Sequence, residues 1–297
     1  MSHSNVNQLI HVAWSTIDQQ PLLLKSVRNE LYAYITKIIR SKNGIVFCCG
    51  GSPDHIHLLF KLPPEISLSN LLSHAKAYTS KWLKARSDVD SAFGWQKGYI
   101  AFGVQENRLD NVCRYIKGDE ERHQTTGQSY EDELRGLLNQ QEIPFHEEYL
   151  LQNSHSKMCL HLVWSTEERV PILDKEFRES LYDHIRAAAP LNKGQIYSIG
   201  GVEDHIHVLM EVPRDIALSD LMKHIKTNST HWLHGRNSDK FRLFQWQVGY
   251  GAFSVSFSCL DDTRRYIEEQ EEHHRKYSFS DEWQQLFQRF QRPMILA

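Results

Sequence analysis

The pattern of apolar and polar residues predicts the same series of strands and helices twice along the chain. In the first half, β-rich apolar runs predict strands at 8–14, 44–49, 54–61 and 98–104, and amphipathic stretches predict helices at 22–41, 67–86 and 107–124. In the second half the strands are predicted at 158–164, 195–200, 204–211 and 249–255, and the helices at 172–188, 217–235 and 258–275. A last short helix is predicted near 130–140 and near 280–291. Each half therefore reads β-α-β-β-α-β, which predicts an α+β fold of two ferredoxin-like (RRM-like) domains, with antiparallel sheets and helices packed on one face.

The sequence itself also repeats. HVAWST at 11–16 returns as HLVWST at 161–166, and GGSPDHIHLLFKLP at 50–63 returns as GGVEDHIHVLMEVP at 200–213. A period of about 150 residues is typical of a duplicated domain rather than of a solenoid. We therefore expect one domain at 1–143, a linker at 144–156 and a second domain at 157–297, and we expect the two copies to form a pseudo-dimer within one chain.

Composition limits the classes of protein that need to be considered. The chain is 40% hydrophobic and 24% charged, and it has neither a long apolar run nor the features of a signal peptide, so we expect a cytoplasmic protein without a membrane span. Five cysteines without C-x-x-C spacing predict reduced thiols and argue against a structural zinc site. The formal net charge of -3 means that any contact with nucleic acid has to come from local clusters of Lys and Arg.

Two pairs of histidines are candidate metal ligands. His55 and His57 lie two residues apart on a predicted strand, as do His205 and His207 in the second half, so each pair projects from one face of its strand. Paired imidazoles on a rigid element are a usual start for a divalent metal site. The alternative is a pair of half-buried histidines whose hydrogen bonds are satisfied within the protein.

A tyrosine stripe on a later helix supplies further candidate groups. Tyr115, Asp119 and His123 are spaced four residues apart and share one helical face. Their counterparts in the second half are Tyr266, Gln270 and His274. A tyrosine beside an oxygen donor could bring a nucleophile and a third metal ligand together. The alternative is a helix that packs its tyrosine on the sheet and exposes a polar flank.

Basic residues concentrate on the helix after the histidine strand. The candidate DNA-binding residues are Lys76, Lys81, Lys84 and Arg86 in the first half, and Lys223, Lys226 and Arg236 in the second. Nearby tryptophans could stack on exposed bases, although their apolar spacing favours core packing. The basic stripe could equally be a solvated helix face.

Several motifs in order resemble the single-tyrosine HUH transposases, which include those of the smallest bacterial insertion elements and the REP-associated tyrosine transposases. The motifs are DHIHLLF and DHIHVLM, a basic helix that ends in KWL or HWL, then WQ-x-GY-x-AF-x-V, RYI and EEHHRK. The resemblance implies cleavage and strand transfer of single-stranded, hairpin-containing DNA through a 5′-phosphotyrosine. It implies Tyr115 and Tyr266 as nucleophiles, Mg²⁺ or Mn²⁺ as the metal and the two histidine pairs as its ligands, with Gln270 as a third ligand in the second copy. Asp119 stands at the position of Gln270 in the first copy and can also bind a hard cation.

The resemblance leaves some questions open. Family members act as dimers, so each tyrosine could serve the histidines of the other copy. Gly118 replaces Glu269 beside the third ligand and is expected to loosen the tyrosine helix, which would impair the first copy. A non-catalytic DNA-binding protein that recognises hairpins or repeats is the main alternative. A two-histidine phosphoesterase is less favoured, because it needs Ser or Thr where His57 and His207 stand.

Overall fold

The structure is a computed structural model that describes residues 4–189, 194–236 and 239–289. The chain divides into two compact units. One unit comprises Leu9–Met158, and the other combines residues 4–8 with the described residues from Cys159 onward. No helix in the described part of the chain is both long enough and apolar enough to cross a membrane. None of the five cysteines forms a disulfide, as the sequence predicts.

All strands except the two short edge strands β1 and β6, and the first two helices of each copy, lie where the hydrophobic pattern predicts them. Up to residue 158 the strands are β1 (Asn5–Asn7), β2 (Leu9–Ser15), β3 (Ile45–Ser52), β4 (His55–Lys61), β5 (Ile100–Gly103) and β6 (His155–Lys157), and the helices are α1 (Lys25–Arg40), α2 (Leu68–Lys84), α3 (Leu109–Lys117), α4 (Asp119–Thr126) and α5 (Tyr130–Gln140). From there on the elements are β7 (Cys159–Ser165), α6 (Lys175–Ala188), β8 (Gln195–Gly201), β9 (His205–Glu211), α7 (Leu218–His234), β10 (Gly251–Val255), α8 (Leu260–Glu268), α9 (Gln270–His274) and α10 (Phe279–Arg289). Residues 290 and 291 of the last predicted helix lie outside the described residues.

Each unit contains one five-stranded sheet. The orders are β3-β4-β2-β5-β6 and β1-β10-β7-β9-β8. The four inner pairs of strands around β2 and β7 are antiparallel as expected, but β6 lies parallel to β5 and β1 lies parallel to β10, so neither sheet is purely antiparallel. Each of these edge strands has only three residues, too few for an alternating pattern to reveal them.

The edge strands also change the division of the chain. β1 belongs to the sheet of the second copy, although the sequence placed residues 1–143 in the first domain. β6 lies inside the stretch 144–156 that the sequence assigned to a linker. Leu150 in that stretch is buried against α5. The segment between the repeats is therefore folded into the first unit and does not act as a free linker.

Helices cover both faces of each sheet, so the expectation of helices on one face is wrong. In the first unit α1 and α2 pack on Ile56, Leu58 and Phe60 of β4. On the opposite face α3 packs on Leu59, and α5 packs near β2 and β5. Because side chains alternate along a strand, His55 and His57 point toward the α3 and α5 face together with Leu59. The second unit repeats this arrangement.

The tyrosine helix is divided in both copies, where the sequence predicts one continuous helix. α3 ends before Gly118 and α8 ends before Glu269, with nearly the same backbone angles at the break (φ −88° and −93°). A Cβ at Gly118 would meet only one atom closely, the Arg114 carbonyl oxygen at 3.3 Å. Glu269 adopts the same conformation in the second copy, so the break itself does not require glycine, and the expectation that Gly118 loosens the first copy stays a prediction.

Candidate active site

The repeated glycine pair brings the tyrosine helix close to the histidine strands. A Cβ at Gly200 would lie 2.2 Å from the backbone oxygen of Ile267, and one at Gly50 would lie 2.1 Å from that of Ile116. Such contacts are impossible for any other residue, so glycine is required where α8 and α3 cross the sheet. The residue before each of these isoleucines is the tyrosine. The glycines thereby set the height of the tyrosine above the sheet.

In the second copy, four side chains converge from β9, α9 and α10. Ligand atoms of His205, His207, His274 and Glu282 all lie within 4.8 Å of one another. Glu282 Oε2 is 3.5 Å from His205 Nε2, 3.4 Å from His207 Nε2 and 3.2 Å from His274 Nε2. The Nε2 atoms of His205 and His207 are buried and make no hydrogen bond with any described residue. Gln270 Oε1 is likewise buried without a hydrogen bond.

The other nitrogen of each strand histidine has a fixed partner. His205 Nδ1 lies 2.7 Å from Asp204 Oδ1, and His207 Nδ1 lies 2.8 Å from His161 Nε2. A proton held on Nδ1 by such a partner leaves the lone pair on Nε2, which faces the cluster. Burial lowers the pKa of His207 to about 4 and that of His161 to about 3, whereas for His205 burial is outweighed by Asp204 and Glu282, which raise its pKa.

Tyr266 contacts the same carboxylate through its other oxygen. Its hydroxyl donates a short hydrogen bond to Glu282 Oε1, and Gln270 Nε2 donates to that oxygen at 3.1 Å. Glu282 therefore faces the histidines with Oε2 and the tyrosine with Oε1. Burial raises the pKa of Glu282, but the surrounding imidazoles, His207 foremost, outweigh burial and hold the pKa well below the usual range. The carboxylate is thus an ionised acceptor at neutral pH.

The first copy repeats the cluster with an additional carboxylate. Ligand atoms of His55, His57, Asp119 and Glu133 lie within 4.8 Å of one another. Glu133 Oε2 is 3.5 Å from the Nε2 atom of each histidine, and Asp119 Oδ2 is 3.0 Å from that of His55. Both Nε2 atoms are again buried without a hydrogen bond to any described residue. Tyr115 donates a short hydrogen bond to Glu133 Oε1.

The partners of the first-copy histidines also match those of the second. His55 Nδ1 lies 2.7 Å from Asp54 Oδ1, and His57 Nδ1 lies 3.0 Å from His11 Nε2. Burial lowers the pKa of His55, but Asp119 and Asp54 outweigh it and raise the pKa to about 9. Burial raises the pKa of Asp119, but His55 and His57 outweigh it and lower the pKa to about 2. The raised pKa of His55 and the lowered pKa of Asp119 have the same cause, which is the attraction between the His55 imidazole and the Asp119 carboxylate.

Arg122 distinguishes the first copy, because the second has His273 at this position. Its guanidinium lies 2.6 Å from Glu133 Oε1, contacts Asp119 Oδ1 and stacks 3.9 Å above the Tyr115 ring. Burial raises the pKa of Tyr115 well above its usual value, and Glu133 adds to the effect. The extra carboxylate of the first copy is therefore matched by an extra cation.

Aromatic rings on the last helix cover one histidine in each copy. Phe279 lies 4.3 Å from His205 between ring centroids, and Tyr130 lies 4.4 Å from His55. All four strand histidines are 0% exposed, whereas the two tyrosines are half-buried. Part of each tyrosine is therefore accessible to solvent, whereas the histidines lie beneath the first turn of α5 or α10.

The structure brings together most of the side chains that the sequence selected. Both histidine pairs and Asp119 lie in the clusters, and both tyrosines and Gln270 contact a carboxylate of the cluster in their own copy. Sequence reasoning missed several residues that complete the sites: His11, Asp54, Glu133, His161, Asp204 and Glu282. Each of them is identical in the two copies, and that identity was the available signal.

The basic helix contributes fewer free cations than the sequence suggests. Lys76 Nζ donates to the carbonyl oxygens of residues 96, 97 and 98, and Lys226 Nζ donates to those of residues 247 and 249. Arg86 lies beyond the end of α2 and pairs with two carboxylates. The exposed candidates are Lys81, Lys84, Lys223 and Arg236. Trp95 and Trp246 pack at the core and donate hydrogen bonds to α2 and α7. These two tryptophans therefore have the core-packing role that their apolar spacing favours.

Three similar proteins each cover about the length of one copy. ISDra2 transposase TnpA of Deinococcus radiodurans is 26% identical over 114 residues, which cover 37% of this chain and 81% of that protein. A solved structure from D. radiodurans R1 described as a transposase is 24% identical, with a TM-score of 0.32, over 38% of this chain and 91% of the other. A REP-associated tyrosine transposase bound to a REP hairpin is 16% identical, with a TM-score of 0.31, over 40% of this chain and 68% of the other.

The family profile described as Transposase IS200 like matches the chain twice. The matched residues are 4–119 and 154–270, so the two matches together span most of the sequence. Each match begins at an edge strand and includes the histidine pair and the tyrosine of one copy. The chain therefore belongs to the IS200-like transposase family, and it carries the family's domain in two copies.

Proposed function

We propose that this chain cleaves single-stranded DNA at hairpin-containing sites and transfers the strand through a 5′-phosphotyrosine, as a metal-dependent transposase built on two ferredoxin-like units. The observation that carries the proposal is a tyrosine hydroxyl bonded to a buried carboxylate whose other oxygen faces two histidine Nε2 atoms. This arrangement occurs in both copies. Such a constellation places a nucleophile, a proton acceptor and open nitrogen ligands within a few ångströms of each other.

The residues of the second copy fit a divalent cation. Two buried Nε2 atoms and the buried Oε1 atom of Gln270 lack hydrogen bonds within the described structure, a costly arrangement unless a ligand completes it. The partners of His205 and His207 at Nδ1 match the second sphere of metal-bound histidines. We infer that His205, His207, Gln270 and Glu282 hold the ion. A set of imidazoles with oxygen donors favours Mn²⁺ over Mg²⁺, which prefers oxygen.

The bound cation would polarise the scissile phosphate and offset the charge that develops on it. Tyr266 Oη attacks phosphorus, and its proton passes to Glu282 Oε1, which already accepts that hydrogen bond. The new bond joins Tyr266 to the 5′ phosphate, the bond from phosphorus to the 3′ oxygen breaks, and that oxygen takes a proton from water. Because the phosphotyrosine conserves the bond energy, a second 3′-OH can displace the tyrosine by the reverse step without ATP.

Access to the histidines requires a movement of Phe279. Its ring lies over His205, and we infer that it swings aside when a phosphate binds. The equivalent ring in the first copy is Tyr130, which lies over His55. The exposed cations Lys81, Lys84, Lys223 and Arg236 would hold the strand through its phosphates, and their contribution would weaken with salt.

Trapping a covalent adduct tests the proposal. The full chain is mixed with Mn²⁺ and a labelled single strand that contains a hairpin, and the protein is resolved under denaturing conditions. We expect a labelled band that the double variant Tyr115→Phe with Tyr266→Phe lacks, and each single variant reports the share of the other copy. If binding occurs but neither tyrosine forms an adduct, the chain binds DNA without cleaving it and the catalytic proposal fails.

A further inference from the structure

A cavity of about 480 Å³ lies beside the second-copy site, within the range of about 300–1,000 Å³ that small ligands use. It is formed by the end of β7, the turn that follows, the loop before β10 and the first turns of α10. We call it the aromatic pocket, and the lining residues that matter here are Trp164, Arg169, Gln247, Tyr250, Phe279 and Trp283.

The lining suits an unpaired nucleobase. The rings of Tyr250, Phe279 and Trp283 are half-buried and offer flat apolar faces of the kind on which bases stack. Arg169 is exposed and lies 5.7 Å from the Phe279 centroid, so it places a cation at the rim, where a phosphate of the same nucleotide would pass. The pocket therefore combines stacking surfaces with one positive charge.

Phe279 links this pocket to the site of cleavage. The same ring that lines the pocket lies over His205. A base held in the pocket would therefore belong to a nucleotide close to the scissile phosphate. A rotation of Phe279 that uncovers His205 would also change the stacking surface, which couples occupation of the pocket to opening of the site.

Sequence differences between the copies explain why the pocket exists in the second. Gly251 stands where the first copy has Ile100, and a Cβ at Gly251 would lie 3.1 Å from the ring of Trp283. Trp283 in turn stands where the first copy has Leu134. The two differences belong together, because the Trp283 ring occupies the space next to Gly251 that an isoleucine side chain would need.

The first copy fills the equivalent place with its own chain. Leu150 and Leu151 pack against Tyr130 and Leu134, and Gly98 N donates to the Leu151 carbonyl oxygen at 3.2 Å. The remaining space there is about 10 Å³. The first copy therefore serves as an internal comparison in which the same fold has no room for a base.

We propose that the aromatic pocket binds one unpaired base of the DNA strand held at the second-copy site. The assignment rests on the proposed function, because it takes the strand at that site as given. Recognition of one base beside the scissile phosphate would fix the position of cleavage, and it would do so in the second copy alone.

An abasic scan tests the proposal with the full chain carrying both Tyr115→Phe and Tyr266→Phe, which removes both proposed nucleophiles so that binding is measured without cleavage. Single strands with one abasic residue at successive positions are compared by affinity. We expect a loss of roughly 5- to 150-fold at one position, the range for loss of one stacked base, and little change at its neighbours. Trp283→Leu, which installs the first-copy residue, should abolish that position's effect, whereas Trp232→Leu, outside the pocket, should preserve it.

A fluorescent base analogue supplies a measurement that does not depend on the stability of a variant. 2-Aminopurine placed at the sensitive position should be quenched on binding to the chain, and at other positions it should not. An even response at all positions, or an abasic effect that survives Trp283→Leu in folded protein, overturns the proposal and assigns the pocket to another occupant. An adduct on Tyr266 without any positional effect refutes the pocket alone, whereas a positional effect without an adduct refutes the catalysis alone.

Discussion

Replacing Glu282 with glutamine separates its two proposed roles from its packing. The side chain is 1% exposed, and Gln has nearly the same shape, so the cavity around α10 is preserved. The substitution removes the negative charge that faces His205, His207 and His274 and leaves Tyr266 without an ionised proton acceptor. It therefore acts on the chemistry while keeping the contacts of the helix.

The size of the effect follows from the contacts. General-base catalysis contributes about 10²- to 10⁴-fold, so loss of the acceptor for the Tyr266 proton should slow adduct formation by that factor, equivalent to roughly 3–5 kcal/mol in the barrier. The lost ligand should also weaken Mn²⁺ binding. Removing one charge from a buried, paired site costs stability, by up to about 3–5 kcal/mol, so denaturant unfolding has to be measured alongside.

The assay is single-turnover formation of the labelled adduct at a series of Mn²⁺ concentrations. Glu272→Gln is the control, because Glu272 is exposed on α9 and its ion pair with Arg275 spans one helical turn, where the expected effect is within about 0.5 kcal/mol. A loss that saturating Mn²⁺ fully restores would mean that Glu282 only binds metal. A wild-type rate at every Mn²⁺ concentration would refute both roles.

Two further substitutions probe how the site is held and covered. Gly200→Ala should push α8 away from the sheet, because the new Cβ would lie 2.2 Å from the Ile267 carbonyl oxygen. Adduct formation by Tyr266 should therefore fall at least tenfold, even in the fraction that circular dichroism shows to be folded. An unchanged rate would show that the close approach does not position the tyrosine. Phe279→Ala should lower the melting temperature, since it removes a large partly buried ring. At saturating DNA, where weaker stacking in the aromatic pocket does not limit the rate, it should leave or increase the rate of adduct formation per folded molecule. A severe loss of that rate in folded protein would mean that the ring orders the site and does not obstruct it.

The inner strands and the first two helices were predictable because their signals are local. The largely apolar, β-rich run of β4 extends over seven residues, and α2 presents apolar residues at helical spacing over 17. The edge strands β1 and β6 have three residues each and pair with sequence-distant partners, so no local pattern marks them. The face on which each helix packs is also a tertiary property, and the pattern does not contain it.

The candidate site was predictable in part for a similar reason. The H-x-H spacing and the tyrosine stripe are geometric regularities that a single element displays. Glu133 and Glu282, in contrast, reach the site from a helix whose amphipathic pattern makes a lone carboxylate look solvated. The only sequence feature that marks this glutamate as more than a surface residue is the motif S-x-x-D-E, which occurs at 129–133 and again at 278–282.

The differences between the two copies act in matched pairs, which explains how both clusters stay buried. The first copy has Asp119 and Arg122 where the second has Gln270 and His273, so one added negative charge accompanies one added positive charge. An unpaired buried carboxylate would be costly, and the guanidinium between Asp119 and Glu133 removes that cost. This paired change of charge explains how Asp119 in one copy can correspond to Gln270 in the other, whereas the strand histidines and the carboxylate of Glu133 or Glu282 are the same in both copies.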